Sequence, residues 1–285
     1  MPKKALADFP LVSVITPNFN GYKFIKRAIE SVKLQNFNCE HIVIDDCSTD
    51  QSWHLLKTQA KKYKWLKIYQ LSNNCGPIIA RNKALEIARG RFVAFLDVDD
   101  IWLPHKLETQ IKFMIDKDCA LSFSDYRFIS EDGTFIGRRL KGFSKIGWHL
   151  HHMTRYLGCL TIIVDRKKIP NFYMPDINVN YFAEDFLTWS RCILTVGSAF
   201  RCPHDLARYS LVSSSRSSNS FITAKSVWKL YRNIEKIHLI PSLIYYISYA
   251  LNVLWKKIWY KPYLMRYLVD SNFSWSILYE DKKNK

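Results

Sequence analysis

The first 125 residues alternate short β-forming runs with segments of helical period, and no other feature constrains the fold as much. The apolar runs LVSVIT (11–16), HIVID (41–45), LKIYQL (66–71), RFVAFL (91–96) and CALSFS (119–124) are separated by stretches in which apolar residues recur every three or four positions. Ile25, Ile29 and Val32 mark the first stretch, and Leu55, Leu56 and Ala60 the second. Ile78, Ile79, Leu85 and Ala88 mark the third, and Leu103, Leu107, Ile111 and Met114 the fourth. Four strand–helix units of this kind bury their apolar faces together in an α/β layered domain around a mostly parallel sheet. Pro104 suits a first helical turn, and Ser48, Thr49 and Asp50 offer caps for the second helix.

In open α/β sheets, ligands bind beyond the carboxyl ends of the strands. HIVIDDCSTD puts Asp45 and Asp46 at one such end, and FVAFLDVDD puts Asp97, Asp99 and Asp100 at another. One Asp after a strand is ordinary turn chemistry. Two acidic ends in one sheet, one of them Asp-x-Asp, point instead to a hard divalent cation, because crowded carboxylates raise each other's pKa unless a cation neutralises them. Mg²⁺ or Mn²⁺ takes one or two protein carboxylates and leaves the remaining positions to water and phosphate. Strand alternation sends Asp97 and Asp99 to one side, with Asp100 turning away. The whole chain is nevertheless basic, with 42 Lys and Arg against 25 Asp and Glu and a formal charge of +17. That balance suits an anionic partner: a phosphorylated substrate, an anionic lipid surface or nucleic acid.

The seven cysteines form no CxxC pair and no even-numbered framework, which disfavours a zinc ribbon or a disulfide scaffold and fits reduced thiols in the cytoplasm. MPKKALADFPLVSVITPNFN reads as a disordered lead into a strand rather than a secretory signal. From 126 to 220 the regularity fades, leaving one apolar run, CLTIIVD (159–165), and one acidic helical signal, AEDFLTWSRCIL. GWHLHHM reads as a polar loop, favoured over a zinc site because its histidines have no Cys or Asp at metal spacing. SLVSSSRSSNSF (210–221) is polar enough for a mobile linker or a lid. The tail differs in kind: LIPSLIYYISYALNVLW (239–255) carries no charge, and KKIWYKPYLMRYL then mixes Lys and Arg with Trp and Tyr. As a helix the uncharged run reaches roughly 25 Å, short of the roughly 30 Å hydrocarbon core. Its composition fits an interfacial helix on an anionic leaflet, with a helix packed on its own domain as the second reading and a true span as the least favoured.

VSVITPNFN, HIVIDDCSTD, NNCGPIIARNKALEIARGRFVAFLDVDDIWLPHKLE and AEDFLTW, in this order and at these spacings, resemble the family 2 inverting glycosyltransferases of the GT-A fold. The resemblance spans roughly residues 10–235. It implies a Rossmann-like α/β sheet flanked by helices, followed by an amphipathic helical tail. Residues 1–125 would bind a nucleotide sugar, 126–222 would bind the acceptor and supply the base, and 223–285 would meet the membrane surface. Thr16, Pro17 and Phe19 would line the uracil pocket, and Asp46 would accept a hydrogen bond from the base, Asp45 being more structural. Arg81 and Asn82 would face the acidic site, Asp97 would meet the ribose and diphosphate, and Asp99 would ligate Mn²⁺ or Mg²⁺ with Asp100 behind it. Asp185 would be the catalytic base, supported by Glu184. LGCLTIIVDRKKI would help to shape the acceptor pocket. HDLARYSLVSSSRSSNSF departs from the family pattern, with Ser210 where Arg is usual and Ser220 where Lys is usual. His204 and Arg216 are the candidates to take over, His204 also as a further metal ligand. The implied donor is a UDP-sugar and the implied acceptor a lipid-linked saccharide. The implied location is peripheral, on the cytoplasmic face of the membrane, in lipopolysaccharide or capsule synthesis.

Two other classes fit less well. A nucleotidyltransferase is expected to carry a Gly-rich basic phosphate loop after its first strand, and ITPNFNGYKFIKRAIE has a single Gly there. A nucleic-acid-binding protein should show a basic stripe over its core, whereas these strand ends are acidic, so no nucleic-acid partner is expected.

Overall fold

The computed structural model describes residues 11–133, 136–175, 184–212 and 220–259. The first half follows the expected alternation: β1 (Val12–Asn18), α1 (Tyr22–Lys33), β2 (Cys39–Asp45), α2 (Ser52–Lys62), β3 (Leu66–Gln70), α3 (Pro77–Ile87) and β4 (Phe92–Phe95). After β4 come β5 (Ile101–Trp102), α4 (Lys106–Asp116), β6 (Leu121–Ser130), β7 (Ile136–Leu140), β8 (Lys145–Ile146), α5 (Trp148–Thr154), β9 (Ile162–Asp165), α6 (Glu184–Val196) and β10 (Ala199–Leu211). Two more helices follow: α7 (Ser220–Lys229), continued by a π-helical turn at Leu230–Ile234, and α8 (Leu239–Trp259).

One sheet takes strands from both halves of the chain, in the order β3-β2-β1-β4-β9-β6-β10-β5. β1, β2, β3 and β4 are parallel, as are β6 and β10, while β9 runs antiparallel between β4 and β6. Strand order reverses after β3: α3 carries the chain back across β2 and β1 to place β4 on the far side of β1. This is the crevice in which open α/β sheets bind ligands. Alternating side chains pack the two faces separately. Ile15, Ile44, Val93 and Phe95 meet α3 and α6 through Ala84 and Trp189, while Val12, Val14, Phe92 and Ala94 meet α1 and α4 through Ala28 and Ile111.

Two segments differ from the sequence expectation. GWHLHHM is a helix and not a loop. His151 and His152 are fully buried in it, with His151 stacked on Phe186 at a centroid distance of 4.2 Å. Burial pushes the His151 imidazole down to about 3, so it packs as a neutral aromatic ring. The second is β10, whose charged sequence AFRCPHDLARYSL hides a central strand. Asp125 of β6 is held by Arg139 and Arg201, and Asp205 of β10 by Arg127 and Arg208, so the charges inside the sheet are paired. Pro203 falls at the register break between Cys202 and Asp205, where the ladder needs no N–H.

The tail packs on the domain along one face only. Tyr245 and Tyr249 of α8 join Tyr231, Leu230, Val227, Phe186 and Leu187 in a separate cluster over α5 and α6. A helix leaves its last carbonyls without intrahelical partners, and the tail completes those of α5. Tyr231 donates to His152 O, Ser248 and Asn252 donate to Met153 O, and Lys256 donates to Thr154 O and Arg155 O. Among the described residues no helix is long and apolar enough to cross a membrane. Truncation after residue 238 leaves these carbonyls and tyrosines uncovered, so a thermal melt should show Tm lowered by at least about 5 °C.

Candidate active site

The acidic end of β4 lies at the strand-order reversal, and three elements grip it. From α3, Arg81 Nη2 donates to Asp97 Oδ1 at 2.5 Å. From α1, Arg27 Nη2 donates to Asp99 O and to Ser210 Oγ, and its Nη1 to Glu131 O. From β10, the Ser210 N–H donates to Asp100 Oδ1 at 2.8 Å. Asp100 is buried, and Asp97 keeps about a third of its side chain exposed (33%). Burial, reinforced by the charge of Asp97, pushes Asp99 up to about 6. Burial and the charges of Asp99 and Asp97 likewise hold Asp100 well above the usual carboxylate range, although Arg27 works the other way. Burial works against the Arg81 charge, but Asp97 and, more distantly, Glu184 override it and raise its pKa.

This incomplete neutralisation is the test for a cation. Among the described residues no set of three or more His, Cys, Asp or Glu is arranged to hold a metal alone. Mg²⁺ or Mn²⁺ bound through one or two carboxylates and a diphosphate does not need such a set. Asp99, a hard oxygen donor with Asp97 raising its pKa, fits that mode. His204 does not join it. It lines a shallow surface pocket with His105, Glu108 and Asp116 of α4. It also lies six residues before Ser210 on β10, roughly 20 Å along an extended strand.

The expected nucleoside side is built from the ends of β1 and β2. Asp45 is consumed structurally, accepting from Asn18 Nδ2 (2.6 Å), Ser48 N and Oγ, and Gln70 Nε2. Asp46 is buried and its two oxygens accept the Cys75 and Gly76 N–H groups, each at 2.7 Å, fixing the loop into α3. Thr16 is fully buried with its hydroxyl against His41 Nε2, so its side chain supports the strand end from within. Pro17 is half-buried, and Phe19 beyond it is 48% exposed at the crevice. Gly21 lets this loop rest on the Asp-x-Asp turn: a Cβ there would lie 2.3 Å from Asn18 Oδ1 and 2.7 Å from a Val98 methyl.

Because β9 is antiparallel, its leading end arrives at the edge where the parallel strands finish, and it brings Cys159 there. The Cys159 thiol is pushed well up, first by burial and then by Asp97, Asp185 and Glu184, with Arg81 opposing them. Cys159 therefore sits within electrostatic reach of both the acidic strand end and the start of α6. Glu184 and Asp185 occupy the first turn of α6, a position the helix dipole favours for acids. Asp185 Oδ1 accepts the Phe186 N–H at 2.8 Å and lies 3.6 Å from Arg155 Nη2. Asn82 faces elsewhere and clamps Met174 through both its N–H and its carbonyl, ahead of the chain leading to α6. Ser220 and Arg216 fall outside the residues whose side chains are described. Arg27 and Arg155 carried no sequence signal beyond a basic residue beside an apolar helical face.

Residues 13–170 match the family model Glycosyl transferase family 2. The putative teichuronic acid biosynthesis glycosyltransferase TuaG of Bacillus subtilis is 37% identical over 250 residues, which is 87% of this chain and 98% of that protein. In Escherichia coli, the UDP-Glc:alpha-D-GlcNAc-diphosphoundecaprenol beta-1,3-glucosyltransferase WfgD is 32% identical over 246 residues, covering 84% and 92%. Among solved structures, the mannosyltransferase PcManGT of Pyrobaculum calidifontis, in complex with GDP-Man and Mn²⁺, aligns with a TM-score of 0.64 at 16% identity, over 87% of this chain and 75% of that one. The architecture is thus the GT-A fold. With more than half of its length inside the family model, and TuaG matched almost end to end, the chain belongs to glycosyltransferase family 2 and is a transferase.

Two outcomes follow from the charge crowding and the close loop contact. Asp99 titrates higher in the folded chain than its ordinary 3.8, so the folded state gains stability as pH falls from about 7 toward 4. In the presence of a chelator, Asp99→Asn should raise the Tm by roughly 3–6 °C at about pH 7.5, with the gain shrinking toward pH 4. Gly21→Ala should lower the Tm, as read by a thermal melt, because its Cβ meets Asn18 and Val98.

Proposed function

We propose that the chain is a metal-dependent, inverting glycosyltransferase that moves a sugar from a UDP-sugar to a hydroxyl of a lipid-linked surface-polysaccharide intermediate. The observation that carries this reading is the meeting of the Asp97 and Asp185 environments around Cys159. It supports a donor-side acid and a helix-start acid acting on one substrate. Residues 1–125 form the donor side, 126–222 the acceptor side, and 223–285 the surface-binding tail. The UDP donor and the lipid-linked acceptor are favoured by the activity named for WfgD, and the divalent metal by the Mn²⁺ in PcManGT.

The chemistry needs one displacement. The acceptor hydroxyl oxygen attacks the anomeric carbon, the bond from that carbon to the diphosphate oxygen breaks, and the hydroxyl proton passes to the Asp185 carboxylate. Glu184 and Arg81 set the charge beside it, and Asp97 positions the nucleotide's ribose and diphosphate. Asp99 would hold a divalent cation, which would neutralise the diphosphate charge when bound. A single displacement inverts the anomeric configuration.

The membrane surface is assigned to α8. Leu243, Ile244, Ile247, Leu251, Leu254, Trp255 and Ile258 are each between 44% and 58% exposed apart from Leu251, at 62%, and they lie on the side of the helix away from Tyr245 and Tyr249. In a chain of charge +17, such a face suits an anionic bilayer.

A panel of nucleotide sugars with Mn²⁺ should raise the Tm most for the true donor, since a ligand of the native state adds stability. Asp185→Asn should then lower transfer of that sugar by roughly a hundredfold to ten-thousandfold, leaving a residual rate, while UDP binding stays near native. Transfer at the native rate would remove Asp185 from the base role. For the membrane, the double variant Ile247→Glu, Leu251→Glu should lose at least about tenfold in sedimentation with phosphatidylglycerol vesicles. Unchanged sedimentation would remove α8 as the contact.

A further inference from the structure

Arg155 follows α5 in the left-handed region, with φ 48°, a conformation that is uncommon away from glycine and needs support from its surroundings. The support comes from α8. Lys256 Nζ donates to Arg155 O at 2.9 Å and to Thr154 O at 3.1 Å, and its ammonium lies 4.1 Å from the Tyr156 ring centroid. Arg155 Nη1 donates to the Tyr249 hydroxyl at 3.3 Å, with the guanidinium 5.8 Å from that ring's centroid. The other end of the guanidinium points at the start of α6, with Nη2 3.6 Å from Asp185 Oδ1. Both described contacts of the Asp185 carboxylate, from Phe186 N and from Arg155, fall on Oδ1. Among the described residues no hydrogen bond falls on Oδ2.

Resting on the reading of Asp185 as the proton acceptor, we infer that Arg155 is a positioning residue, held by Tyr249 and Lys256 of the tail helix, that fixes the Asp185 carboxylate with Oδ2 toward the acceptor hydroxyl. Burial opposes the Arg155 charge, yet Asp185 and Tyr249 override it and raise its pKa, so the guanidinium stays a cation beside the carboxylate. Among the described residues Glu184 on its own helix and the Cys159 thiol ahead of β9 also lie near Asp185, and Arg155 is the cation paired with its carboxylate. Arg155 is thus the cation through which α8 reaches the reacting end of the crevice. The tail then contributes to catalysis as well as to location, because the side chains that complete α5 also fix Arg155.

The test is a double-mutant cycle in the full chain, read with the UDP-sugar and acceptor used for Asp185→Asn above. Arg155→Met should lower kcat by roughly tenfold to a hundredfold, with UDP affinity by calorimetry and Tm near native. Arg155→Lys should recover part of the loss, and Tyr249→Phe should show a smaller loss of the same kind. In the Asp185→Asn background, Arg155→Met should cost nothing further, because its effect runs through that carboxylate. An equal loss in both backgrounds, or a parallel fall in UDP affinity, overturns the positioning role. Native-rate transfer by Asp185→Asn alone would overturn the base assignment instead, a result separable from the cycle.

Discussion

Repulsion among Asp97, Asp99 and Asp100 has to be contained at the end of a four-residue strand buried on both faces, and the surrounding elements are arranged to contain it. No single helix does so. Arg81 comes from α3, Arg27 from α1 and the Ser210 N–H from β10, so the acidic turn is held only when the sheet has its full order. Burial, with the neighbouring carboxylates adding to it, still holds Asp99 and Asp100 above the usual carboxylate range. The acidic turn thus keeps an electrostatic cost in the protein alone.

Much of the first half was legible because β1, β2 and β4 are buried on both faces and read as apolar runs between amphipathic helices. The acidic strand ends followed from the same pattern. β10 was not legible, since Arg201, Asp205 and Arg208 resemble a surface segment until their partners Asp125 and Arg127 are known. α5 was missed for the opposite reason: His151 and His152 look polar in sequence but pack as rings among Trp148, Phe186 and Tyr245. Arg27 and Arg155 act on residues 72 and 30 positions away, and no local period encodes such contacts.

The two halves of the chain share the sheet without sharing a direction. β9 enters against its neighbours, so its first residues reach the edge where β1 and β4 end. Asp46 adds to the same edge, holding the β3–α3 loop through the N–H groups of Cys75 and Gly76. An acid expected from the sequence to meet a base thus has both of its oxygens on backbone N–H groups of the loop into α3.

The final helix turns the usual rule of helix packing around. A helix on a soluble domain sets its apolar stripe inward and its polar stripe outward. On α8 the inward side carries Ser242, Tyr245, Ser248, Tyr249, Asn252 and Lys256, most of them hydrogen-bonded to backbone carbonyls, while isoleucine, leucine and tryptophan face out. In water alone that orientation exposes a strip of oily surface about 30 Å long. The isolated protein should accordingly be least soluble where nothing greasy is present to cover it, and detergent or lipid should behave as a solvent for this one side of the molecule.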